Sequence, residues 1–545
     1  MVGVMVNAGL VSILLAQLSA GATQSEWSAH AGPPGAWVYV VLTGFEKIES
    51  CFESTIRHSG GEAMKWLRNQ PDQMRRDLAR KLNVPAHAID PSKPMAFAVF
   101  SPLAGRSVRG QWPVAVIVPV RGEPQGIDLV NGYAVVMDSV VFATRVRGIL
   151  QSAGNIEAPE GIARVYVDFS TMLQTIGQGI EAQIALAVSP GGVPNATRRT
   201  KLMVFGALFS LLDQIENLTL SIDISGDTAQ VSAHITPKWG TDMAQLASNQ
   251  MRGNVLGNVV PNGVLTISGE LKGMSGWLLG FTEQFLKIIP NPKEADTIRK
   301  PLSCFLHSLG DEFAFTYDLG PQGLSVDIAA RFKGSIEVVR EYYRLMASYK
   351  LPQELAQRMG VKPVHVDLAL KEGAHQADGV VVDQLTMKFN VQEGIPPIHT
   401  FGLLGLLLDA PQQALPLWES GEVITNYAVV NDTLVMTMGG KNSYERISTL
   451  VLSAKSPSGS AGDAPLKFRV DVLELLKFVM KARSAVRLVA PEGGGKPLTG
   501  TVEFAGPTIT MQITLPLKIV VELANLMDVL SLVRTPSGPD GAPRP

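Results

Sequence analysis

A short apolar motif that occurs twice constrains the fold of this chain more than any other feature. The stretch 131–150 reads NGYAVVMDSVVFATRVRGIL, and the stretch 425–451 reads TNYAVVNDTLVMTMGGKNSYERISTLV. Each contains a Tyr-Ala-Val-Val run, a polar break and a second apolar run. Runs of β-branched and aromatic residues around a short polar break are typical of a β-hairpin. We therefore predict a hairpin followed by a helix in each of two homologous domains.

The first hairpin is predicted to turn at 137–139, because the Asp in Met-Asp-Ser can bond its own backbone in a turn. The second turn is predicted at 431–433. This alignment matches Tyr133 with Tyr427 and Asp138 with Asp432 at one common separation (427 − 133 = 432 − 138 = 294). We favour packed tyrosines and turn aspartates over a ligand-binding Tyr/Asp pair.

Two other aspartates, Asp168 and Asp471, each follow a predicted strand and precede a predicted helix. The residue before a helix needs a short side-chain acceptor for the free backbone N–H groups of the first turn. We therefore predict that both carboxylates cap helices and that neither is catalytic.

The remaining patterns predict an α+β protein of two homologous domains, each an antiparallel sheet covered by helices, packed about a pseudo-two-fold relation. The predicted domains are 35–255 and 261–533, and the Pro/Gly-rich tail 534–545 is predicted to be disordered. Each predicted domain has a basic residue followed by Gly, which is Arg121-Gly122 in the first and Lys333-Gly334 in the second. From this Gly to the Tyr of the motif there are 11 residues in the first domain and 93 in the second (133 − 122 = 11; 427 − 334 = 93). We therefore predict a large insertion at about 335–420.

The insertion is predicted to contain a helix at 335–349, strands at 365–370 and 379–391, and an apolar segment at 395–418. This segment is too short to span a bilayer. Two interpretations are open: a core helix that covers the sheet, or an exposed surface that binds an apolar ligand or partner. The candidate binding residues are Phe401, Leu403, Leu404, Leu407 and Trp418.

The N-terminus predicts export. Residues 2–18 are mostly apolar, and Ala20-Gly21-Ala22 fits a small-residue cleavage site, so 1–22 is predicted to be a signal peptide. The segment lacks Lys and Arg, so an uncleaved membrane anchor is the alternative. We expect a periplasmic or extracellular protein. An apolar content of 46% favours a globular fold, and a net charge of −2 excludes the strongly basic character of nucleic-acid-binding proteins.

Local signatures of catalysis or metal binding are missing from the sequence. It contains no H-E-x-x-H, C-x-x-C or G-x-S-x-G motif, and Pro497 follows Gly493-Gly494-Gly495-Lys496 where a phosphate loop needs Ser or Thr. We predict no cofactor and no metal. Cys51 and Cys304 either form one disulfide in an oxidising compartment or remain two unpaired thiols.

The order of strand, helices, hairpin and GYAVV-type strand, twice over behind a signal peptide, resembles a family of uncharacterised exported bacterial proteins over residues 35–533. The resemblance implies export and a duplicated α+β domain, and it carries no catalytic residues. We expect a non-enzymatic envelope protein that binds a partner protein or an apolar ligand, between the domains or at the insertion, without an internal membrane span. A hydrolase whose site is assembled from distant residues and a structural assembly component are the alternatives.

Overall fold

The computed structural model describes residues 35–59, 68–100, 113–137, 140–173, 212–248, 255–273, 275–276, 279, 292–320, 323–348, 366–389, 421–439, 442–457, 466–475 and 496–519. These residues form two compact units, and each unit draws on separate parts of the chain. Unit 1 contains the described residues up to 173, then 215–235 and 512–519, and unit 2 contains 212–214 and the described residues of 236–511. The domain boundaries proposed from the sequence stay a prediction.

The described strands, in chain order, are β1 (Ala36–Leu42), β2 (Met95–Phe100), β3 (Val114–Pro119), β4 (Leu129–Val130), β5 (Tyr133–Val136), β6 (Ala163–Asp168), β7 (Ile215–Ser225), β8 (Thr228–Pro237), β9 (Leu265–Glu270), β10 (Leu309–Gly320), β11 (Gly323–Phe332), β12 (Val366–Ala377), β13 (Val380–Phe389), β14 (Glu422–Val430), β15 (Thr433–Gly439), β16 (Leu466–Val470), β17 (Leu498–Ala505) and β18 (Thr508–Pro516). The described helices are α1 (Phe45–Ser59), α2 (Gln70–Leu82), α3 (Val140–Ala153), α4 (Asp242–Ser248), α5 (Pro292–Ser308), α6 (Ile336–Ser348) and α7 (Ser443–Lys455).

Antiparallel pairing connects the strands of each unit into a sheet. In unit 1 the spatial order is β4-β5-β3-β2-β1-β6-β7. In unit 2 the order is β12-β13-β14-β15-β11-β10-β9-β16-β17. Helices pack on these antiparallel sheets, so the predicted α+β class is confirmed.

Both faces of the unit 1 sheet are buried, because successive residues of a strand point to opposite faces. One face packs on α3 through a cluster that contains Tyr39, Ala96, Ile117, Val135, Val146 and Leu150. The opposite face packs on α1 through a cluster that contains Leu42, Phe45, Phe52, Met95, Val118 and Leu517.

The unit 2 sheet is covered in the same way. Helix α7 packs on one face through a cluster that contains Ala314, Ala329, Ala428, Val435, Ile447 and Leu450. Helices α5 and α6 pack on the other face through a cluster that contains Phe305, Phe332, Val339, Tyr343, Tyr427 and Leu434. We refer to these as the α7 face and the α6 face.

The predicted hairpin of the first motif is wrong. Strand β5 pairs with β4, and the turn lies at Asn131 and Gly132, whose φ angles are 53° and 79°. A two-residue hairpin turn of the favoured hand needs positive φ at both positions, which Asn and Gly supply. The predicted second strand at 140–143 is the first turn of α3. Its buried residues recur at a spacing of three and four, which is the helical period, and this outweighs the β-propensity of the two valines; they are Ala143, Val146 and Leu150.

The predicted hairpin of the second motif is confirmed. Strands β14 and β15 pair around the turn at Asn431 and Asp432, with Val430 opposite Thr433. However, Tyr427 precedes its turn, whereas Tyr133 follows its turn. The match of these two tyrosines, and with it the separation of 294 residues, is therefore wrong. The residues that hold the same turn position are Asn131 and Asn431, both with a left-handed backbone (431 − 131 = 300).

Several local predictions are confirmed. The Asp168 carboxylate accepts a hydrogen bond from the Thr171 N–H at 2.8 Å, and that of Asp471 accepts one from the Glu474 N–H at 3.1 Å, so both cap helices. The helix predicted at 335–349 is α6, and the two strands predicted after it are β12 and β13.

The predicted signal peptide 1–22 and the predicted tail 534–545 lie outside the described residues. Across the part of the chain that the structure covers, no helix combines the length and apolar character needed to cross a bilayer. This agrees with the predicted lack of an internal membrane span for those residues.

The turn at Asn431 gives a test of the hairpin. Asn431→Ala should lower the free energy of unfolding by about 1 kcal/mol, because a Cβ in the left-handed region crowds the following carbonyl oxygen and Asn tolerates this better than Ala does. Asn431→Gly is the matched control, since glycine adopts positive φ freely, and we expect it to stay within about 0.5 kcal/mol of the parent. Urea unfolding of the full chain measures both. An equal loss in the two variants would contradict the left-handed turn.

Candidate binding site on the inserted module

Helix α6 and strands β12 and β13 lie between β11 and β14 in the chain, and the two strands extend the unit 2 sheet. We call them the inserted module because the sequence predicts an insertion at about 335–420. Strand β13 pairs with β14 along its length, with Asp383 opposite Tyr427 and Lys388 opposite Glu422. The predicted apolar binding residues, in 395–418, lie outside the described residues. Lys388 and Glu422, which precede and follow this segment in the chain, face each other in the sheet.

A bidentate ion pair holds α6 to β13. Arg340 donates from Nε to Asp383 Oδ2 at 2.7 Å and from Nη2 to Asp383 Oδ1 at 3.1 Å. Asp383 is fully buried and also accepts the Gly373 N–H at 2.7 Å. The hydrogen bonds from Arg340 to Asp383, and then to Glu337, raise the pKa of the guanidinium, so it stays charged. A buried carboxylate requires such partners, and this pair therefore fixes the position of α6.

Aromatic packing reinforces this contact on the α6 face. The Tyr343 ring lies 4.7 Å from the Tyr427 ring and 5.2 Å from Tyr342, and Tyr342 stacks on Phe305 at 4.7 Å. Burial raises the pKa of the Tyr343 and Tyr427 hydroxyls far above neutrality, so both remain protonated. The Tyr343 hydroxyl contacts Met436 Sδ at 2.9 Å. This face of the module is thus a packed core.

The α7 face carries a buried polar chain. Gln384 Nε2 donates to Asn426 Oδ1 at 3.1 Å, and Asn426 Nδ2 donates to Ser443 Oγ at 3.0 Å. His375 Nε2 lies 3.3 Å from Gln384 Nε2. Two amides therefore separate the Ser443 hydroxyl from the imidazole. In this arrangement Ser443 has no direct base, so the chain orders the N-terminus of α7 and does not form a nucleophile–base pair.

A second Ser/His pair lies on the surface of α5. His307 Nδ1 is 3.1 Å from Ser303 Oγ and 2.7 Å from the Ser303 carbonyl oxygen. A carbonyl oxygen only accepts hydrogen bonds, so Nδ1 carries the proton in this geometry. It cannot take a proton from the Ser303 hydroxyl, and the pair does not meet the requirement of a hydrolase.

A cavity of about 310 Å³ lies at one end of the unit 2 sheet. Its central side chain is Arg331, which donates from Nε to Glu312 Oε2 at 2.9 Å and from Nη1 to Asp432 Oδ1 at 2.7 Å. Glu312 also accepts the Leu256 N–H at 2.6 Å. The charges of Arg331, Glu312 and Asp432 are thus engaged with one another. Among the described residues, no group of three or more His, Cys, Asp or Glu side chains is arranged to hold a metal ion.

Unit 1 has an open cavity of about 550 Å³, and Arg121 contributes to its lining. Arg121 Nη2 lies 3.1 Å from Asp90 Oδ1, which also accepts the Ser92 hydroxyl at 2.7 Å. Burial alone would raise the pKa of the Asp90 carboxyl, but the bonds from Ser92 and Arg121 outweigh it and hold the pKa below its usual value. Asp90 is therefore ionised at neutral pH and fixes one wall of this cavity.

The two cysteines are not paired. Cys51 is half-buried in unit 1, and Cys304 is exposed on α5 in unit 2. The sequence leaves open one disulfide or two unpaired thiols, and in the structure both thiols are unpaired. Burial raises the pKa of the Cys51 thiol, which disfavours the reactive thiolate.

Sequence reasoning missed the Arg340–Asp383 pair, although a signal was present. In β13, Asp383 lies two residues from both Val381 and Leu385, so it points to the same face as Leu385, which is buried. A carboxylate on a buried face requires a cationic partner. The identity of that partner depends on how α6 crosses the sheet, which residue spacing does not specify.

No family model, no curated protein and no solved structure matches this chain. Function therefore has to be inferred from the residues of the chain itself.

The Arg340–Asp383 pair gives a test of how the module is held. Arg340→Ala should lower the free energy of unfolding by about 3–5 kcal/mol, because it leaves a buried carboxylate without its cation. The matched control is Arg344→Ala on the same helix, where the arginine pairs with Glu372 at the surface, and we expect a much smaller loss. Chemical unfolding of the full chain measures both variants. Equal losses of unfolding free energy in the two variants would contradict the idea that Arg340 offsets the cost of burying the Asp383 carboxylate.

The Asp90 carboxylate gives a pH test. Its pKa is lowered in the folded state, so its charge stabilises the fold above the unfolded pKa, and this stabilisation is lost as the pH falls through the folded pKa. Asp90→Asn should cost about 1–2 kcal/mol at pH 7. The gap between the two proteins should shrink once the pH drops below about 4. Unfolding curves over this range measure it, and a gap that is constant with pH would contradict the lowered pKa.

Proposed function

We propose that this chain is an exported, non-enzymatic binding protein built from two copies of one α+β domain. In this proposal the module inserted into the second copy presents the apolar segment 395–418 to an apolar ligand or to the apolar surface of a partner. The observation that carries it is the chain between β11 and β15, which is far longer than the chain between β3 and β5 and is rich in large apolar residues.

Cross-strand registers support the duplication. In unit 1, one row of directly facing residues consists of Val135, Ile117, Ala96, Val41, Arg164 and Ser221. In unit 2, a row of directly facing residues runs across β15, β11, β10, β9, β16 and β17. It consists of Val435, Ala329, Ala314, Ser268, Lys467 and Thr501. Six strands therefore follow one another in the same spatial order in each sheet.

Three features at fixed distances from these rows also agree. The left-handed Asn of each turn stands four residues before the first member of its row (135 − 131 = 435 − 431 = 4). The capping Asp stands four residues after the fifth member (168 − 164 = 471 − 467 = 4). A glycine with positive φ stands five residues after the sixth member (226 − 221 = 506 − 501 = 5). Unrelated domains have no reason to share these spacings, so they favour a common origin.

The same rows locate the insertion. From the β3 position of the row to the β5 position there are 18 residues in unit 1, and from the β11 position to the β15 position there are 106 in unit 2 (135 − 117 = 18; 435 − 329 = 106). The second copy thus has 106 − 18 = 88 additional residues here. Strands β12 and β13, which are among these residues, extend the sheet, and α6 packs on it. Long loops without secondary structure are usually functional or unstructured.

The mechanism in this proposal is burial of apolar surface. Side chains such as Phe401 and Leu404 gain roughly 25 cal/mol for each Å² of apolar area that a ligand removes from water. Strands β13 and β14, which precede and follow the segment in the chain, are paired with each other, and the Arg340–Asp383 pair fixes α6 on β13. The predicted N-terminal signal places the protein in the envelope in this proposal, where lipids and lipid-modified partners are available.

Ligand binding by the segment can be tested on the purified full chain. Native mass spectrometry, with extraction of any co-purifying lipid, should detect an apolar adduct, and 1-anilinonaphthalene-8-sulfonate should bind and fluoresce. The triple variant Leu403→Ser, Leu404→Ser and Leu407→Ser should lose both signals, because a hydroxyl replaces most of the apolar side chain.

Leu452→Ser is the control for this experiment, because Leu452 is an exposed leucine on α7. It should keep both signals. The proposal fails if the triple variant binds the dye and retains the adduct as well as the parent does while its circular dichroism is unchanged.

A further inference from the structure

The inserted module gives the unit 2 sheet a new edge. Strand β12 pairs with β13, whose other side is occupied by β14, and no other described strand has a register with β12. In unit 1 the corresponding edge is β4, which has only two residues. A long edge strand presents backbone N–H and C=O groups that can pair with another strand.

We propose that a second copy of this chain docks on β12, strand against antiparallel strand, with Ala369 on the two-fold axis. This goes beyond the proposed ligand binding, because it uses β12 and not the segment 395–418. Either proposal can fail while the other stands.

Charge complementarity selects the partner. When two copies of a strand pair about an axis at residue 369, facing residues have numbers that sum to 738. Asp367 then faces Lys371 of the second copy, and the same contact occurs twice (367 + 371 = 738). Directly facing opposite charges stabilise a strand pair, whereas facing like charges destabilise it.

The apolar residues fit the same register. Leu368 faces Leu370 of the second copy, again twice (368 + 370 = 738). In the structure Leu370 lies opposite Leu385 on the α6 face and is half-buried there. Asp367, Ala369 and Lys371 point to the other face and are exposed. Nearest the axis, charged residues thus face charged residues and leucines face leucines, and farther out Val366 faces Glu372 of the second copy (366 + 372 = 738).

Neighbouring registers are worse. Moving the axis by one residue shifts the register by two: an axis at Leu368 places Asp367 opposite Ala369, and an axis at Leu370 places Asp367 opposite Gly373. Both moves lose the two charge pairs. A β-bulge between Lys371 and His375, with Gly373 at a φ of 58°, ends the regular part of the strand. The bulge therefore confines pairing to residues before it, which favours a single register.

A charge-swap series tests the proposal by sedimentation velocity and multi-angle light scattering. The contact is small, so we expect a weak dimer that assembles over roughly 10–300 µM protein. Lys371→Asp puts like charges in both contacts and should weaken association at least about tenfold. The double variant Asp367→Lys and Lys371→Asp restores opposite charges and should recover the dimer, which a merely misfolded variant would not do.

Crosslinking tests the axis. In a background of Cys51→Ser and Cys304→Ser, Ala369→Cys should form a disulfide-linked dimer on mild oxidation, because only the residue on the axis faces its own copy. Lys371→Cys is the matched control and should remain monomeric on a denaturing gel. A monomer throughout the concentration range, a dimer indifferent to Lys371→Asp, no recovery in the double variant, or crosslinking at 371 in place of 369 would each overturn the proposal.

Discussion

Cross-strand register is the constraint on which the rest of this structure depends. Both sheets are buried on both faces, so a strand that slipped by one residue would exchange its two sets of side chains. In unit 2 such a slip of β13 would move Asp383 away from Arg340 and place Val382 in its position. The register is fixed where the chain turns, and the left-handed Asn431 shows how one backbone conformation determines which side chains meet many residues away.

Burial on both faces also explains how charge is arranged in unit 2. The sheet places Asp327, Asp383 and Glu312 among covered residues, and each of them has an arginine within hydrogen-bond reach. For Asp327, burial raises the pKa more than the Arg446 partner lowers it. Ion pairs of this kind contribute little net stability, but removal of one member is costly. The pairs of Arg340 and Arg446 therefore specify where α6 and α7 lie on the sheet more than they stabilise the fold.

The sequence is a good guide to this fold wherever one local signal decides the outcome. Both capping aspartates, the second hairpin and helix α6 follow from side-chain types at short spacing. The prediction for the first motif is wrong because Tyr-Ala-Val-Val follows the turn in one hairpin and precedes it in the other. The same four residues therefore lie on different strands of the two hairpins. The Asn-Gly pair at 131–132 was the stronger hairpin signal and stands just before the motif. The Arg340–Asp383 contact could not be predicted, because it depends on how α6 lies on the sheet.

The division of the chain between the units has a consequence for biosynthesis. Leu517 is fully buried in the cluster that α1 forms with β1 and β2, and its N–H donates to the Asp227 carbonyl oxygen at 2.8 Å. The ribosome therefore has to reach residue 517 before the core around α1 can close. Until then the nascent chain holds an incomplete apolar surface, and a holding chaperone or prompt translocation would protect it during that interval.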